Sequence, residues 1–275
     1  MAAETNGNPT AKMSQPQPTI IVTGASSGLG RAFFEHFANS LGSSWKIIGI
    51  DKQSWTDDTG KGFTIYHHKG TAALNLELDV TRPANELRSE LLLELGEHDP
   101  IPLVIHCAGI RGLVPQIPIL NSEGVASAET MEVMDTATLM RTYEINVVGT
   151  FNILGALLPN LRLAAKEGLS PKVVVMSSRM GSITANKAGG GYAYRASKAA
   201  LNAVLKSMSI DVPDVFFAMV HPGRVETGLV SVKEDGAISA QESLQDLLPL
   251  IEKFGVDGKF PSACFLDRFG EVLQW

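Results

Sequence analysis

The sequence predicts an α/β chain: one doubly wound domain with a seven-stranded parallel sheet flanked by helices. Three observations point there. Short apolar, β-branched runs recur along the chain, separated by stretches with helical spacing. The first run passes directly into a glycine-rich turn and then a helical pattern, the strand–turn–helix order that a nucleotide phosphate requires. The 275 residues, 44% of them hydrophobic, suffice for one large core, and no repeat, charge block or long linker divides them.

Charge and cysteine usage narrow the function. A net charge of −6 argues against a nucleic-acid footprint, which needs a basic face. Cys107 and Cys264 make neither a disulfide framework nor a metal-ligand spacing, so the expectation is no metal and reduced thiols in the cytoplasm. Residues 1–17, rich in Ala, Asn, Gln, Thr and Pro, hold no apolar run. They are expected to be a mobile tail, neither signal peptide nor membrane span, ahead of a domain over 18–275.

The first strand is Thr19-Ile20-Ile21-Val22-Thr23. The turn after it, Gly24-Ala25-Ser26-Ser27-Gly28-Leu29-Gly30, precedes a helix marked by Phe33, Phe34, Phe37 and Leu41. Glycines there let backbone N–H groups approach a pyrophosphate. The second strand runs from Trp45 to Ile50 and ends at Asp51, placed to accept from a ribose 2′-hydroxyl and to repel a 2′-phosphate. With no arginine in the turn before Gly28, this favours NAD; Lys52 keeps NADP as the alternative.

Residues 52–70 read as a loop or weak hairpin, with His67 and His68 surface residues. A third strand covers residues 74–80 and a helix residues 83–95. The fourth strand and its turn lie in 100–109, an irregular segment in 110–130, and a long helix in about 140–163, approached from Met131. The fifth strand, 172–176, ends at Ser177-Ser178; the sixth, 215–220, precedes His221-Pro222-Gly223. A mobile lid over 228–240, a helix over 241–254 and a seventh strand over 262–266 complete the order.

One pair invites chemistry. Tyr194 and Lys198 follow a glycine triplet at 189–191 and stand four apart on a helix-forming run, one turn apart on one face. A neighbouring ammonium lowers a phenol pKa that starts near ~10, fitting the phenol to give or take a proton.

Thr23-Gly24-x-x-x-Gly28-x-Gly30, Asp79-Val80, Asn146-Val147-Val148-Gly149 and Tyr194-x-x-x-Lys198 together resemble the short-chain dehydrogenase/reductase family, over residues 18–275. Residues 176–183, the Gly189-Gly190 step, residues 192–198 and the ending from Phe265 to Trp275 resemble its sniffer-like and C-factor-like carbonyl reductase branch. The resemblance implies a Rossmann-type fold and NAD(P)-dependent hydride transfer between nicotinamide and a small carbonyl or alcohol substrate. Tyr194 would be the acid/base, and Lys198 would lower its pKa and bind the nicotinamide ribose. Ser178 would hold the substrate oxygen, and Asn146 would hold a water in the proton relay.

The resemblance also implies that Gly24, Ser26, Ser27, Gly28, Leu29, Gly30, Asp51, Asp79, Val80, Cys107, Ala108, Gly109, Pro222, Gly223, Val225 and Thr227 line the cofactor with Tyr194 and Lys198. Asp79 would meet the adenine and Thr227 the carboxamide. Cys107 stands where the family usually has Asn, which leaves one sheet-stabilising bond open. Ser178 precedes Tyr194 by sixteen positions where the family has about a dozen; Ser182 fits that spacing but lies past the strand end. Family members often pair through the long helices, implying a homodimer or homotetramer. The rival reading is a nucleotide-binding regulatory protein of C-factor type with little turnover.

Overall fold

β1 (Thr19–Thr23) is buried along its whole length, and its side chains alternate between two cores. Ile21 faces one, Ile20 and Val22 the other. The computed structural model describes residues 16–53, 66–68, 71–256 and 258–275. The expected tail lies outside these except for its end, where the Gln17 N–H donates to Asp99 at 3.0 Å and ties the chain to the sheet margin.

Around β1 stand β2 (Lys46–Asp51), β3 (Tyr66–His68), β4 (Thr71–Glu77), β5 (Leu103–His106), β6 (Lys172–Met176), β7 (Phe216–His221) and β8 (Cys264–Asp267). Their order is β3-β4-β2-β1-β5-β6-β7-β8. The seven expected strands are all parallel. β3 adds an antiparallel edge through Tyr66↔Ala73, the hairpin arm that residues 52–70 suggested; residues 54–65 lie outside the described residues.

α1 (Gly28–Ser40) and α7 (Ala240–Lys253) cover one face, where Phe33, Phe34 and Phe37 meet Leu244, Leu247 and Phe254. α2 (Ala84–Leu91), α5 (Thr150–Lys166) and α6 (Tyr192–Asp211) cover the other through Leu87, Leu91, Leu154, Leu157 and Leu201.

Several element limits differ from expectation, β4 among them, which covers 71–77 rather than 74–80. α2 ends at Leu91 rather than reaching Leu95, and the chain continues as a turn whose Glu94 carbonyl accepts from Lys46 Nζ. The irregular segment contains a short helix, α3 (Ser122–Ser127), capped by the Asn121 side chain. The long helix begins earlier, as α4 (Thr136–Tyr143), capped by Asp135 accepting from the Thr138 N–H. It continues through a π-helical segment (Glu144–Gly149) into α5. Among the described residues Thr136–Lys166 is long and apolar enough to cross a membrane; here 56% of its most apolar stretch is buried in the protein.

The chain steps from β1 outward to β2 and β4, then returns across β1 to β5. The strand order therefore reverses between β1 and β5, and the crevice at their carboxyl ends is where such sheets bind ligands.

Candidate active site

The glycine turn sits at that reversal. Gly24 has φ +66°, and a Cβ on it would lie 2.8 Å from the Ala108 nitrogen, so the turns after β1 and β5 touch. A Cβ on Gly30 would lie 2.1 Å from the Gly24 carbonyl oxygen, so α1 can pack onto the turn only with glycine there. No side chain caps the N-terminus of α1, and no acidic residue occupies its first turn. The turn therefore presents backbone N–H groups beside the positive end of a helix dipole, a fit for the pyrophosphate of a dinucleotide.

Toward β2 lies the expected adenosine side. Asp51 Oδ2 accepts from the Ser26 N–H at 3.1 Å, and Oδ1 from the Gln53 N–H at 3.0 Å, which fixes the carboxylate at the turn. Lys52 is engaged with Asp79 at 2.6 Å. Asp79 also accepts from the Thr81 N–H and hydroxyl. Although partial burial opposes ionisation, Lys52 and Thr81 hold the carboxyl below its usual range. Val80 is buried against Gly149.

Thr23 makes the ties around the Asn-to-Cys replacement. Its carbonyl accepts from the Cys107 N–H at 3.2 Å and its hydroxyl from the Ala108 N–H at 3.2 Å. The same hydroxyl bonds His106 Nδ1 at 2.8 Å, and His106 Nε2 bonds Thr150 Oγ1 at 2.9 Å. Desolvation pushes the Cys107 thiol up to about 12, which suits a packing residue rather than a nucleophile.

On the other side of the crevice stand the expected chemical groups. Asn146 lies in the π-helical segment and is fully buried. It accepts from the Ile110 N–H at 2.8 Å and donates to the Ile110 carbonyl at 2.9 Å and to Ser197 Oγ at 3.0 Å. A Cβ on Gly109 would lie 3.0 Å from Asn146 Oδ1 and 3.7 Å from Lys198 Nζ, so the three adjoin. Lys198 Nζ donates to the Met176 carbonyl at 2.9 Å, and desolvation lowers its pKa to about 8.

Tyr194 is buried in the first turn of α6. Ser178, just past the end of β6, accepts from the Met180 N–H at 3.1 Å, and its hydroxyl lies near enough to the Tyr194 phenol to lower its pKa. Ser182 instead accepts from the Ala185 N–H at 3.0 Å within its own turn. The strand-end serine is thus the one brought to the tyrosine.

The cation over the phenol differs from expectation. Lys198 Nζ lies 5.6 Å from the ring centroid, while the Arg111 guanidinium carbon lies 4.9 Å from it. Burial raises the Tyr194 pKa, and Arg111 is the foremost influence lowering it, followed by Ser178. The sequence spacing pointed to Lys198 because it registers only neighbours on one helix; Arg111 comes from the segment after β5.

The segment between Ser178 and Tyr194 is secured at several points. Thr184 donates to the Trp275 carbonyl through its N–H at 3.1 Å and its hydroxyl at 2.8 Å. The Trp275 ring stacks on Phe265 at 5.4 Å. The Gly191 N–H donates to the Glu129 carbonyl at 2.9 Å, so the glycine triplet is a fixed joint into α6.

Beyond β7, Thr227 reaches the glycine turn: a Cβ on Gly28 would lie 3.0 Å from the Thr227 side chain. Pro222 anchors α7 by accepting from the Ser243 hydroxyl at 2.7 Å. Gly223 continues the turn, and Val225 pairs with Ile238, closing the base of the loop expected to be a lid. Among the described residues no group of three His, Cys, Asp or Glu side chains could hold a metal ion.

Comparison with known proteins places these features in context. A family model described as short chain dehydrogenase matches residues 18–237. The C-signal protein of Myxococcus xanthus is 37% identical over 162 residues, covering 57% of this chain and 91% of that protein. Among solved structures, the carbonyl reductase Sniffer of D. melanogaster superposes with a TM-score of 0.72 at 24% identity, covering 95% of this chain and all of that one. An NADPH-bound carbonyl reductase from chicken fatty liver gives a TM-score of 0.70 at 23% identity over the same shares. At these identities the structural likeness concerns the fold.

Proposed function

The chain belongs to the short-chain dehydrogenase family, and from that premise we propose that it is an NAD(P)-dependent oxidoreductase acting on a small carbonyl or alcohol. The observation that carries the reading is that Lys198 adjoins both the Tyr194 ring and Gly109, in the Ala108-Gly109 turn that packs on the glycine turn at Gly24. A bound nicotinamide would supply or accept the hydride.

The chain's residues would do the rest. Residues 24–30 would hold the pyrophosphate, Asp51 the adenosine ribose, and Asp79 with Val80 would flank the adenine. Cys107, Ala108, Gly109, Pro222, Gly223, Val225 and Thr227 would line the nicotinamide half. Ser178 would donate to the substrate oxygen. Tyr194 would deliver the proton to that oxygen in reduction and remove it in oxidation. Lys198, turning from the Met176 carbonyl, would bind the nicotinamide ribose, and Asn146 would support the proton route.

NAD is the proposed cofactor. Asp51 is held at the turn, where its charge opposes a 2′-phosphate, and Lys52 is already paired with Asp79. NADP is the alternative. A homodimer is the proposed assembly, supported by exposed Met140, Tyr143, Val148 and Phe151 along the long helix. A cytoplasmic setting is supported by two free cysteines.

The test follows NADH and NADPH oxidation in parallel with a panel of ketones. Turnover with a preference for NADH is expected. A preference for NADPH overturns the reading of Asp51, and full turnover by Tyr194→Phe overturns the mechanism. The likeness to C-signal favours a second reading, a nucleotide-binding regulatory protein. Tight dinucleotide binding with no turnover across the panel would select it.

A further inference from the structure

Arg111 and Glu129 form a buried ion pair that the scheme above leaves without a task. Arg111 Nε donates to Glu129 Oε2 and Nη2 to Oε1, both at 2.8 Å, in a two-pronged clamp. The two side chains are only 17% and 9% exposed. Such a pair recovers little more than its own desolvation, so stability does not account for its place. That place is over the ring of Tyr194, 4.9 Å from guanidinium carbon to centroid. The Glu129 backbone carbonyl accepts from the Gly191 N–H, so this residue holds the arginine with its side chain and the entry to the helix that carries Tyr194 with its main chain.

We propose that Arg111 is a positioning residue for proton transfer: a cation fixed over the phenol that favours the tyrosinate, with Glu129 as its clamp and electrostatic counterweight. The proposal rests on Tyr194 being the acid/base. Four charged groups face the phenol from four elements: Arg111 after β5, Glu129 ahead of α4, Lys198 on α6 and Glu234 in the loop after β7. Burial raises the Tyr194 pKa, Arg111 lowers it, and Glu129 and Glu234 raise it. Lys198, bonded to the Met176 carbonyl, lies farther from the ring.

The two partners therefore act with opposite sign, which separates an electrostatic role from a structural one. A strut that merely supports the pocket loses the same function whichever half is removed.

The experiment reads the phenol directly. Ultraviolet titration of tyrosinate in the full chain, with cofactor added and omitted, is compared with Tyr194→Phe to isolate the one signal. In parallel, the pH profile of kcat/KM for alcohol oxidation rises through the same midpoint, because oxidation needs the tyrosinate. Arg111→Met is expected to move both midpoints up by about one pH unit. Glu129→Gln is expected to move them down, and the double variant to return toward the parent. Arg111→Lys is expected to restore most of the shift.

Movement of Arg111→Met and Glu129→Gln in the same direction, or of neither, overturns the proposal. Should Arg111→Met fail to fold, Arg111→Lys and Glu129→Gln carry the test, and an unchanged or upward midpoint in Glu129→Gln overturns it. The titration needs no turnover, so it reads Arg111 even if Tyr194→Phe remains active and the oxidoreductase reading fails.

Discussion

Two serines competed for one role, and their surroundings separate them. Ser178 lies near enough to the Tyr194 phenol to influence it, while Ser182 closes its own turn. Loss of a hydrogen-bond donor aimed at a developing charge costs about 10²-fold in kcat. Ser178→Ala is expected to show a fall of that order in steady-state assays, and Ser182→Ala to retain kcat within about threefold. Equal losses would show that the strand-end serine does not hold the substrate oxygen. Tyr194→Phe removes the proton donor itself and is expected to lower kcat by about 10²-fold to 10⁴-fold. The serine ambiguity existed because sequence spacing counts residues, whereas a loop of any length can return to the same strand end. Arg111 was illegible for a related reason: its partner is 18 residues away, and only the folded chain brings both to Tyr194.

At the scale of elements, local signals carried the reading. The glycine turn was legible because the clash at Gly30 is with its own neighbour Gly24, six residues back. The strands were legible because apolar, β-branched runs mark buried parallel strands. Helix limits were less so, since the turn after α2 makes a tertiary bond, from Lys46 to the Glu94 carbonyl, that local spacing does not register. The loop that follows depends on Asn160 of α5, which donates to the Gly96 carbonyl at 3.0 Å and the Asp99 carbonyl at 2.6 Å and accepts from Arg88. Asn160→Ala leaves those groups short of partners in a buried place. We expect a loss of about 3 kcal/mol in urea unfolding, with the cofactor site otherwise intact. A loss below about 1 kcal/mol would show that water replaces the amide there.

For the whole molecule, the seven parallel strands were legible but the acid response was not. His106 bridges Thr23 and Thr150 across the sheet–helix boundary, and burial lowers its pKa from 6.5 to about 3, with Lys198 adding to the shift. The folded state keeps this ring neutral while the unfolded chain takes up a proton below its ordinary value. Stability is therefore fully present above pH 6.5 and falls as pH drops from there toward about 3. The contribution is on the order of 5 kcal/mol across that window. Urea midpoints between neutral pH and pH ~4 should fall, and His106→Gln should flatten the fall. An identical slope in the variant would assign the acid sensitivity to other groups.

The hold of Trp275 on Thr184 has a practical side. Trp275 is stitched by two hydrogen bonds to the segment that separates Ser178 from Tyr194. Bulk attached at Trp275 falls on that seam. Preparations that differ only in such bulk should therefore differ in KM while melting alike, and assays of this protein are best begun with Trp275 left unencumbered.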